Sequence, residues 1–221
     1  MKILCIADVH GDRESLLRAV KFSRENGINS VIFLGDLSSY GVNSEQNLND
    51  ARFLINTFNG FNLMAVPGNC DSREILCLFD KANVNLHERI RSINDISLIG
   101  FGGSSPTPFS TPFELDENEI YVRLKRLLEK RKTEKTVLIL HEPPRGTKCD
   151  LAKARHIGSK SIRRIVDEFQ PDLVLCSHVH ESGGVMDRIG ETRIANIGVL
   201  SQGNIGILTL GDETRIKLRK M

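Results

Sequence analysis

Short apolar runs that alternate with helix-like segments most restrict how this chain of 221 residues can fold. The apolar runs are Ile3–Ala7, Val31–Leu34, Leu63–Val66, Ser97–Phe101, Val137–Leu140 and Leu173–Cys176. Each run is continuous in its apolar character, as is typical of strands buried on both faces. Helical spacing is found at Glu14–Glu25, Glu45–Phe58, Ser72–Phe79, Asp116–Arg131 and Ser159–Phe169. The alternation predicts an α/β fold with crossover connections and with sheets covered by helices.

The pattern changes after about Gly183. Three strand-like pieces, Thr192–Ile197, Ile205–Leu210 and Thr214–Leu218, follow one another with Gly-containing turns and no helical pattern between them. We expect these pieces to form antiparallel strands that close a second sheet. No repeat, low-complexity tract or linker is visible, so the sequence predicts one domain over residues 1–221.

Composition and charge narrow the functional classes. Hydrophobic residues make up 40% of the chain and charged residues 26%, and the formal charge is +2. Neither a nucleic-acid nor a membrane partner is indicated. No run approaches the roughly 20 apolar residues of a membrane span. The N-terminus enters a strand-like run without a signal-peptide pattern, and the five cysteines form no C-x-x-C pair, so we predict free thiols and a cytoplasmic location.

Polar clusters follow five of the apolar runs directly. They are Asp8-Val9-His10, Gly35-Asp36, Gly68-Asn69-Cys70-Asp71, His141-Glu142 and His178-Val179-His180. In open α/β sheets the carboxyl ends of the strands line the ligand crevice. Clusters that are far apart in sequence are therefore expected to meet at one edge of the fold.

Seven side chains in these clusters are of metal-ligand type: Asp8, His10, Asp36, Asn69, His141, His178 and His180. Mixed imidazole and oxygen ligands suit divalent Mn, Fe, Zn, Co or Ni. Seven ligands exceed the shell of one tetrahedral ion and suit two ions that share a carboxylate. Each motif alone has an ordinary explanation as a helix cap, a turn or a structural histidine. Their joint occurrence favours two divalent metal ions, of which we favour Mn.

The order D-x-H, G-D, G-N-x-D, H and H-x-H resembles the calcineurin-like metallophosphoesterase superfamily over nearly the whole chain. The segments Gly102-Gly103-Ser104, His141-Glu142-Pro143-Pro144, His156-Ile157-Gly158-Ser159 and His178-Val179-His180-Glu181-Ser182 look like the branch described as Icc-related phosphoesterases. The resemblance implies a four-layer αββα sandwich of two mixed β-sheets flanked by helices. It also implies one metal on Asp8, His10, Asp36 and His180, and another on Asp36, Asn69, His141 and His178.

Two bound cations predict a hydrolytic function. A hydroxide held between two cations is a nucleophile at neutral pH, and the cations neutralise charge on the phosphoryl oxygens. We therefore predict a phosphoesterase in which this hydroxide attacks the phosphate ester directly. Its substrates are small-molecule phosphate esters, and we favour phosphodiesters. A nucleotide or cyclic nucleotide is among the candidates. The alternatives are a phosphomonoesterase on the same site and a non-hydrolytic metal-binding scaffold. The sequence leaves the physiological substrate and homo-oligomer formation open.

The predicted catalytic residues are Asp36, Asn69, Cys70, Asp71 and His156. Most members of the superfamily have His at position 70, where it protonates the leaving oxygen, and a thiol does this poorly. Loss of general acid catalysis, which typically supplies about 10²–10⁴-fold, predicts a preference for diesters or activated esters. Alternatively, Cys70 is a neutral turn residue and His156 acts as the acid. His156 precedes a helix start, where it can hold a phosphate or serve a capping role.

Four further positions carry weaker predictions. Ser177 stands where the family usually has Gly, which predicts a slightly different local backbone. We expect His87 to lie at the surface. The loop Gly102–Pro112 is a lid, a subunit contact or a plain surface connection. Arg13 and Arg145 lie near the ligand clusters and either bind phosphate or are ordinary surface charges.

Overall fold

The computed structural model describes residues 1–211 and 213–221, which form thirteen strands and five α-helices. The strands are β1 (Lys2–Ile6), β2 (Ser30–Phe33), β3 (Asn62–Ala65), β4 (Arg89–Ile93), β5 (Ile96–Phe101), β6 (Lys135–Leu140), β7 (Leu151–Ala152), β8 (Arg155–His156), β9 (Leu173–Cys176), β10 (Met186–Ile189), β11 (Thr192–Asn196), β12 (Asn204–Thr209) and β13 (Arg215–Lys220). The helices are α1 (Arg13–Glu25), α2 (Ser44–Thr57), α3 (Ile75–Lys81), α4 (Glu117–Glu129) and α5 (Lys160–Phe169).

Two mixed sheets organise the molecule. The first has five strands in the order β13-β12-β1-β2-β3, and the second has six in the order β10-β11-β9-β6-β5-β4. Strands β1, β2 and β3 are parallel to one another, as are β5, β6, β9 and β11. The outer strands β4, β10 and β13 pair antiparallel with their neighbours, and β7 and β8 form a separate hairpin. The carboxyl ends of the central parallel strands carry the predicted ligand clusters.

The apolar runs are continuous because each sheet is buried on both faces. In β1, Ile3 and Cys5 pack in the core between the two sheets, while Leu4 and Ile6 face α1, α2 and α3. The second sheet packs its other face on α4 and α5, where Leu138 lies in the same apolar cluster as residues of both helices. The predicted four-layer αββα sandwich is confirmed.

Polar residues cap four of the helices. The side chains of Asp12, Asn43, Asp116 and Ser159 accept hydrogen bonds from backbone N–H groups in the first turns of α1, α2, α4 and α5. Such caps satisfy amide groups that have no partner inside the helix. The helices therefore begin within a few residues of the positions that the sequence predicts.

The C-terminal strands do not form one sheet, contrary to the prediction. Strands β10 and β11 extend the second sheet, and β11 runs parallel to β9. Strands β12 and β13 extend the first sheet, with β12 antiparallel to β1. The strand pattern is the same in both pairs, so only tertiary packing selects the sheet that each pair joins.

His87 is buried, so its expected surface position is wrong. Only 7% of the residue is exposed, and its ring packs against Phe101 and Phe113. Its Nδ1 accepts a hydrogen bond of 2.9 Å from the backbone N–H of Gly102. A β-bridge between His87 and Gly100 brings this segment against the second sheet, a long-range contact that local composition does not reveal.

All five cysteines are free thiols. None of the helices in residues 1–211 and 213–221 has the length and apolar character that a membrane crossing requires.

Candidate metal centre

The seven predicted ligands come together at one edge of the sandwich. Asp8 and His10 follow β1, Asp36 follows β2, and Asn69 follows β3 in the first sheet. His141 follows β6, and His178 and His180 follow β9 in the second sheet. The site therefore lies where the carboxyl ends of parallel strands from both sheets meet, as the open-sheet rule predicts.

Three groups of potential ligand atoms lie at this edge, and one of them, His10, Asp36 and Cys70, links the other two. Asp8, His10 and His180 form one group, and their ligand atoms lie within 4.8 Å of one another. Asp36, His141 and His178 form another group with the same spacing. Asp36 Oδ2 lies 3.8 Å from Nε2 of His10, and its Oδ1 lies 3.4 Å from Nε2 of His141. One carboxylate thus presents a different oxygen to each group.

Backbone carbonyls orient two of the imidazoles. Nδ1 of His141 lies 2.8 Å from the carbonyl oxygen of Leu34, and Nδ1 of His10 lies 3.3 Å from that of Ser38. A carbonyl oxygen accepts only, so each Nδ1 carries a hydrogen and each Nε2 faces the site, where it binds either a proton or a metal ion. Metal-ligating histidines are commonly fixed in this way.

The donor set fits a cation. Nε2 of His141 lies 3.0 Å from Asn69 Oδ1, and Asn69 is held in that orientation by the bond from its Nδ2 to Thr111 Oγ1. The lone pairs of His141 Nε2 and Asn69 Oδ1 therefore face each other unless a proton or a metal ion lies between the two atoms. Asp8 Oδ1 is buried without a hydrogen-bond partner among the described residues. A buried acceptor of this kind is costly unless a cation satisfies it.

Electrostatics within the cluster also favour positive charge. Burial opposes protonation of His141, but the charges of Asp36 and Asp8 outweigh it and raise its pKa to about 9. Burial and the neighbouring His141 lower the pKa of His178 to about 3, so this imidazole is a neutral ligand. Burial disfavours ionisation of Asp36, but His141 outweighs it and lowers the pKa of the Asp36 carboxyl.

The loops after β2 and β3 approach each other through two glycines. A Cβ on Gly68 would lie 2.0 Å from Asp36 Oδ1, and a Cβ on Gly35 would lie 2.4 Å from the backbone nitrogen of Gly68. The backbone N–H of Cys70 donates to Asp36 Oδ1 over 2.8 Å. Glycine at both positions therefore allows the Asp36 carboxylate to rest on the neighbouring loop.

Asp71 lies behind the ligands. Its buried carboxylate accepts hydrogen bonds from the backbone N–H groups of Leu37, Ser38 and Gly68, and from Asn47 Nδ2. Its oxygens thus bind the backbone of both ligand-bearing loops, and the residue is not part of the cavity lining.

Cys70 lines the cavity of about 270 Å³ that contains His10, Asp36, Asn69, His178 and His180. The residue is 9% exposed. Burial, and then the charge of Asp36, raise the pKa of its thiol, so Cys70 is neutral there.

His156 lines a second, adjoining cavity of about 470 Å³. Its Nδ1 donates to Asp150 Oδ1 over 2.8 Å. Burial opposes ionisation of Asp150, but hydrogen bonds from His156 and from backbone amides outweigh it and lower the pKa of its carboxyl. Asn69, Phe109 and His178 line both cavities, so His156 faces the same cleft as the ligands.

The two arginines near the clusters differ in position. Arg13 makes an ion pair of 2.9 Å with Asp50, outside both cavities. Arg145 lines the second cavity.

Several residues of the site were not predicted from the sequence. Ser177 donates a hydrogen bond to Asp8 Oδ2, so the serine at this position supports a ligand. Thr111 orients Asn69. The carboxylate of Glu142 accepts hydrogen bonds from the backbone N–H of Ser105 at 2.8 Å and from its hydroxyl at 2.6 Å. The loop of residues 102–112 therefore forms a wall of the cleft. The one sequence feature that could have indicated this role is Phe109, an apolar residue in an otherwise polar loop.

Comparison with known proteins identifies the family. The family model described as calcineurin-like phosphoesterase matches residues 1–182. An uncharacterized protein of Methanocaldococcus jannaschii is 33% identical over 201 residues, which are 89% of this chain and 87% of that protein. The chain belongs to the calcineurin-like phosphoesterase family, and it is a metal-dependent phosphoesterase.

Solved structures share the fold at low sequence identity. A Thermus thermophilus protein has a TM-score of 0.72 at 18% identity, covering 99% of this chain and 98% of that one. A dimetal phosphatase from Danio rerio has a TM-score of 0.70 at 12% identity, covering 100% and 96%. An archaeal phosphodiesterase has a TM-score of 0.53 at 14% identity, covering 99% and 100%.

Proposed function

We propose that this protein hydrolyses phosphate esters, with a preference for diesters, at a centre of two divalent metal ions. The observation that carries the proposal is the position of Asp36. Its Oδ2 faces His10 in one group of ligands, and its Oδ1 faces His141 in the other. Two structural neighbours are described as a dimetal phosphatase and a phosphodiesterase, which supports the same chemistry.

The proposed ligand sets follow the two groups around Asp36. One ion is held by Asp8, His10, Asp36 and His180, and the other by Asp36, Asn69, His141 and His178. We favour Mn among the divalent ions that accept mixed nitrogen and oxygen ligands. When bound, the ions lower the pKa of water to supply a nucleophile and neutralise charge on the phosphoryl oxygens.

The other predicted catalytic residues take different roles in this proposal. Cys70 is a neutral side chain that lines the cavity next to the reacting phosphate. Asn69 is a metal ligand oriented by Thr111. Asp71 is a positioning residue, because its carboxylate holds the backbone of both ligand loops. His156, oriented by Asp150, is the candidate proton donor to the leaving group. With a thiol at position 70 and His156 lining only the adjoining cavity, general acid catalysis is weak, and esters with good leaving groups are favoured.

We propose that residues 1–221 act as a single domain, because both sheets contribute ligands to one centre. A reducing, cytoplasmic setting agrees with the five free thiols.

Metal analysis combined with an ester screen tests the proposed function. Protein loaded with Mn is expected to bind two ions per chain and to hydrolyse bis(p-nitrophenyl) phosphate faster than p-nitrophenyl phosphate. Asp36→Asn should lower kcat/KM at least about 100-fold and reduce bound metal, since one ligand of each ion is weakened.

Asp95→Asn is the matched control, because Asp95 is exposed and lies in a turn away from the centre. Two bound ions without turnover of any ester would instead support the scaffold alternative. A faster reaction with the monoester would contradict the diester preference.

A further inference from the structure

The second cavity adjoins the candidate metal centre. Its volume of about 470 Å³ lies within the usual range of ligand pockets, which is about 300–1,000 Å³. It meets the cavity lined by the candidate metal ligands at Asn69, Phe109 and His178. A phosphate bound at the ligands can therefore extend one of its ester groups into this cavity.

One side of the cavity is apolar and exposed. Phe109 is 66% exposed and Ile157 is 45% exposed, and Pro106 and Pro108 line the same space. Among the described residues only seven large hydrophobic side chains are exposed, and two of them lie here. The exposed ring of Phe109 offers a face on which a planar group can stack.

The apolar wall is held in place before any ligand binds. Tyr40 Oη donates a hydrogen bond of 2.8 Å to the carbonyl oxygen of Phe109, and Glu142 fixes Ser105 on the other side of the loop. Binding here does not require the loop to be ordered first, which lowers the entropic cost of association.

Arg145 and His156 also line the cavity, and so does Glu142, whose carboxylate accepts hydrogen bonds from the backbone N–H and the hydroxyl of Ser105. Asp150 does not line the cavity, and its carboxylate accepts hydrogen bonds from Gly146, Thr147, Gly158 and His156.

Arg145 is the cation that reaches the cavity. The contacts of Arg145 in the described chain involve its backbone: its N–H bonds to Ser159, and its carbonyl oxygen accepts from Arg163. The guanidinium has no ion pair or hydrogen bond to another described residue and lines the cavity. A guanidinium in this setting is suited to bind an anion such as phosphate.

We propose that this cavity binds an ester group that combines a planar ring with a second anionic group, as a nucleoside phosphate does. The ring packs against Phe109 and Ile157, and the anion binds Arg145. The proposal rests on the proposed function, because it assigns the substrate class of that same site.

Two esters that differ by one phosphate test the role of Arg145. Thymidine 5′-(p-nitrophenyl phosphate) and its 3′-phosphorylated form release the same product. The Mn-loaded protein should hydrolyse the 3′-phosphorylated ester with a kcat/KM about tenfold higher, mainly through a lower KM. Arg145→Gln should bring this ratio close to one, whereas the control Arg24→Gln, on α1, should keep it.

The outcomes separate the two proposals. Equal kcat/KM values for both esters, or an unchanged ratio in Arg145→Gln, would overturn the subsite while leaving the phosphoesterase proposal intact. If no ester is hydrolysed, calorimetry with thymidine 3′,5′-bisphosphate and thymidine 5′-monophosphate decides the subsite alone. Tighter binding of the bisphosphate that depends on Arg145 supports it, and equal binding refutes it.

The ring contact has its own test. The ratio of kcat/KM for the thymidine ester over methyl p-nitrophenyl phosphate should exceed one and should fall several-fold in Phe109→Ala, since the stacking face is lost. Leu17→Ala is the matched control, because Leu17 is 55% exposed on α1. Equal loss in both variants, or none in Phe109→Ala, would contradict a stacked ring.

Discussion

Four of the proposed metal ligands have an unusual backbone conformation. Asp8, His10, Asp36 and His178 have φ values of 48°, 47°, 56° and 65°, in the left-handed region. This conformation costs L-residues roughly 1–2 kcal/mol each, although Asp and His tolerate it better than most. Such strain is typical of functional sites, where the surrounding structure holds it in place. Here it turns the side chains at strand ends toward one point.

Cys70 is the residue whose chemistry we propose most restricts the substrate. Its thiol lines the cavity of the proposed metal ligands and stays neutral, while its backbone N–H donates a hydrogen bond to Asp36. It therefore contributes to the shape of the site without supplying an efficient acid.

Replacing this residue with histidine tests that reading. Cys70→His should raise kcat/KM most for esters with basic leaving groups, within the roughly 10²–10⁴-fold range of general acid catalysis. The measurement is the slope of log kcat/KM against leaving-group pKa, which should become shallower. Cys77→His is the control, since Cys77 is an exposed free thiol on α3. An identical slope in wild type and Cys70→His would refute the idea.

At the level of elements, the loops after β2 and β3 form one unit. Asp71 accepts hydrogen bonds from the backbone of both loops, and Gly35 and Gly68 let them touch. The ligands Asp36 and Asn69 are placed by this loop pair. Their spacing is therefore sensitive to any atom inserted between the loops.

Gly68→Ala inserts such an atom. Its Cβ would lie 2.0 Å from Asp36 Oδ1 and 2.2 Å from the backbone nitrogen of Asp36, so the loops must separate. We expect loss of bound metal and a decrease in the free energy of unfolding of about 3 kcal/mol. Denaturant titration and metal analysis measure these effects.

Gly211→Ala is the control for this variant, because a Cβ there meets nothing within 4 Å. Wild-type metal content in Gly68→Ala would show that the loops tolerate the separation.

At the level of the whole molecule, the proposed metal centre connects the two sheets. Asp8, Asp36 and Asn69 come from the first sheet, and His141 and His178 from the second. Ions bound to both sets of ligands stabilise the folded state, because the unfolded chain does not assemble the site.

Removing the metal should therefore lower the melting temperature. Chelation with EDTA is expected to decrease Tm by about 10 °C relative to protein saturated with Mn, and added Mn should restore it. Differential scanning calorimetry measures the change, and Asp36→Asn should show a much smaller response. Equal Tm values with and without metal would contradict a centre that joins the sheets.

The sequence by itself determined most of the strands and helices around the two sheets and the positions of the seven proposed metal ligands. Apolar runs and helical spacing are local patterns, and strand ends with Asp, Asn or His are visible without a structure. The family resemblance then predicted how the strands and helices are arranged in two sheets. The structure confirmed this fold, and the family model confirmed the family. Strands β4 and β10 were missed because Arg89–Ile93 and Met186–Ile189 are too polar to read as buried strands.

Only the tertiary structure decided which residues surround the ligands. His87 is buried by a bridge to Gly100, the C-terminal strands divide between two sheets, and Ser177 reaches Asp8 across 169 positions. The cavity between Phe109 and Arg145 likewise joins two separate loops. Each of these features is a contact between distant segments. Their formation depends on how whole layers pack, and no local pattern of residues carries that information.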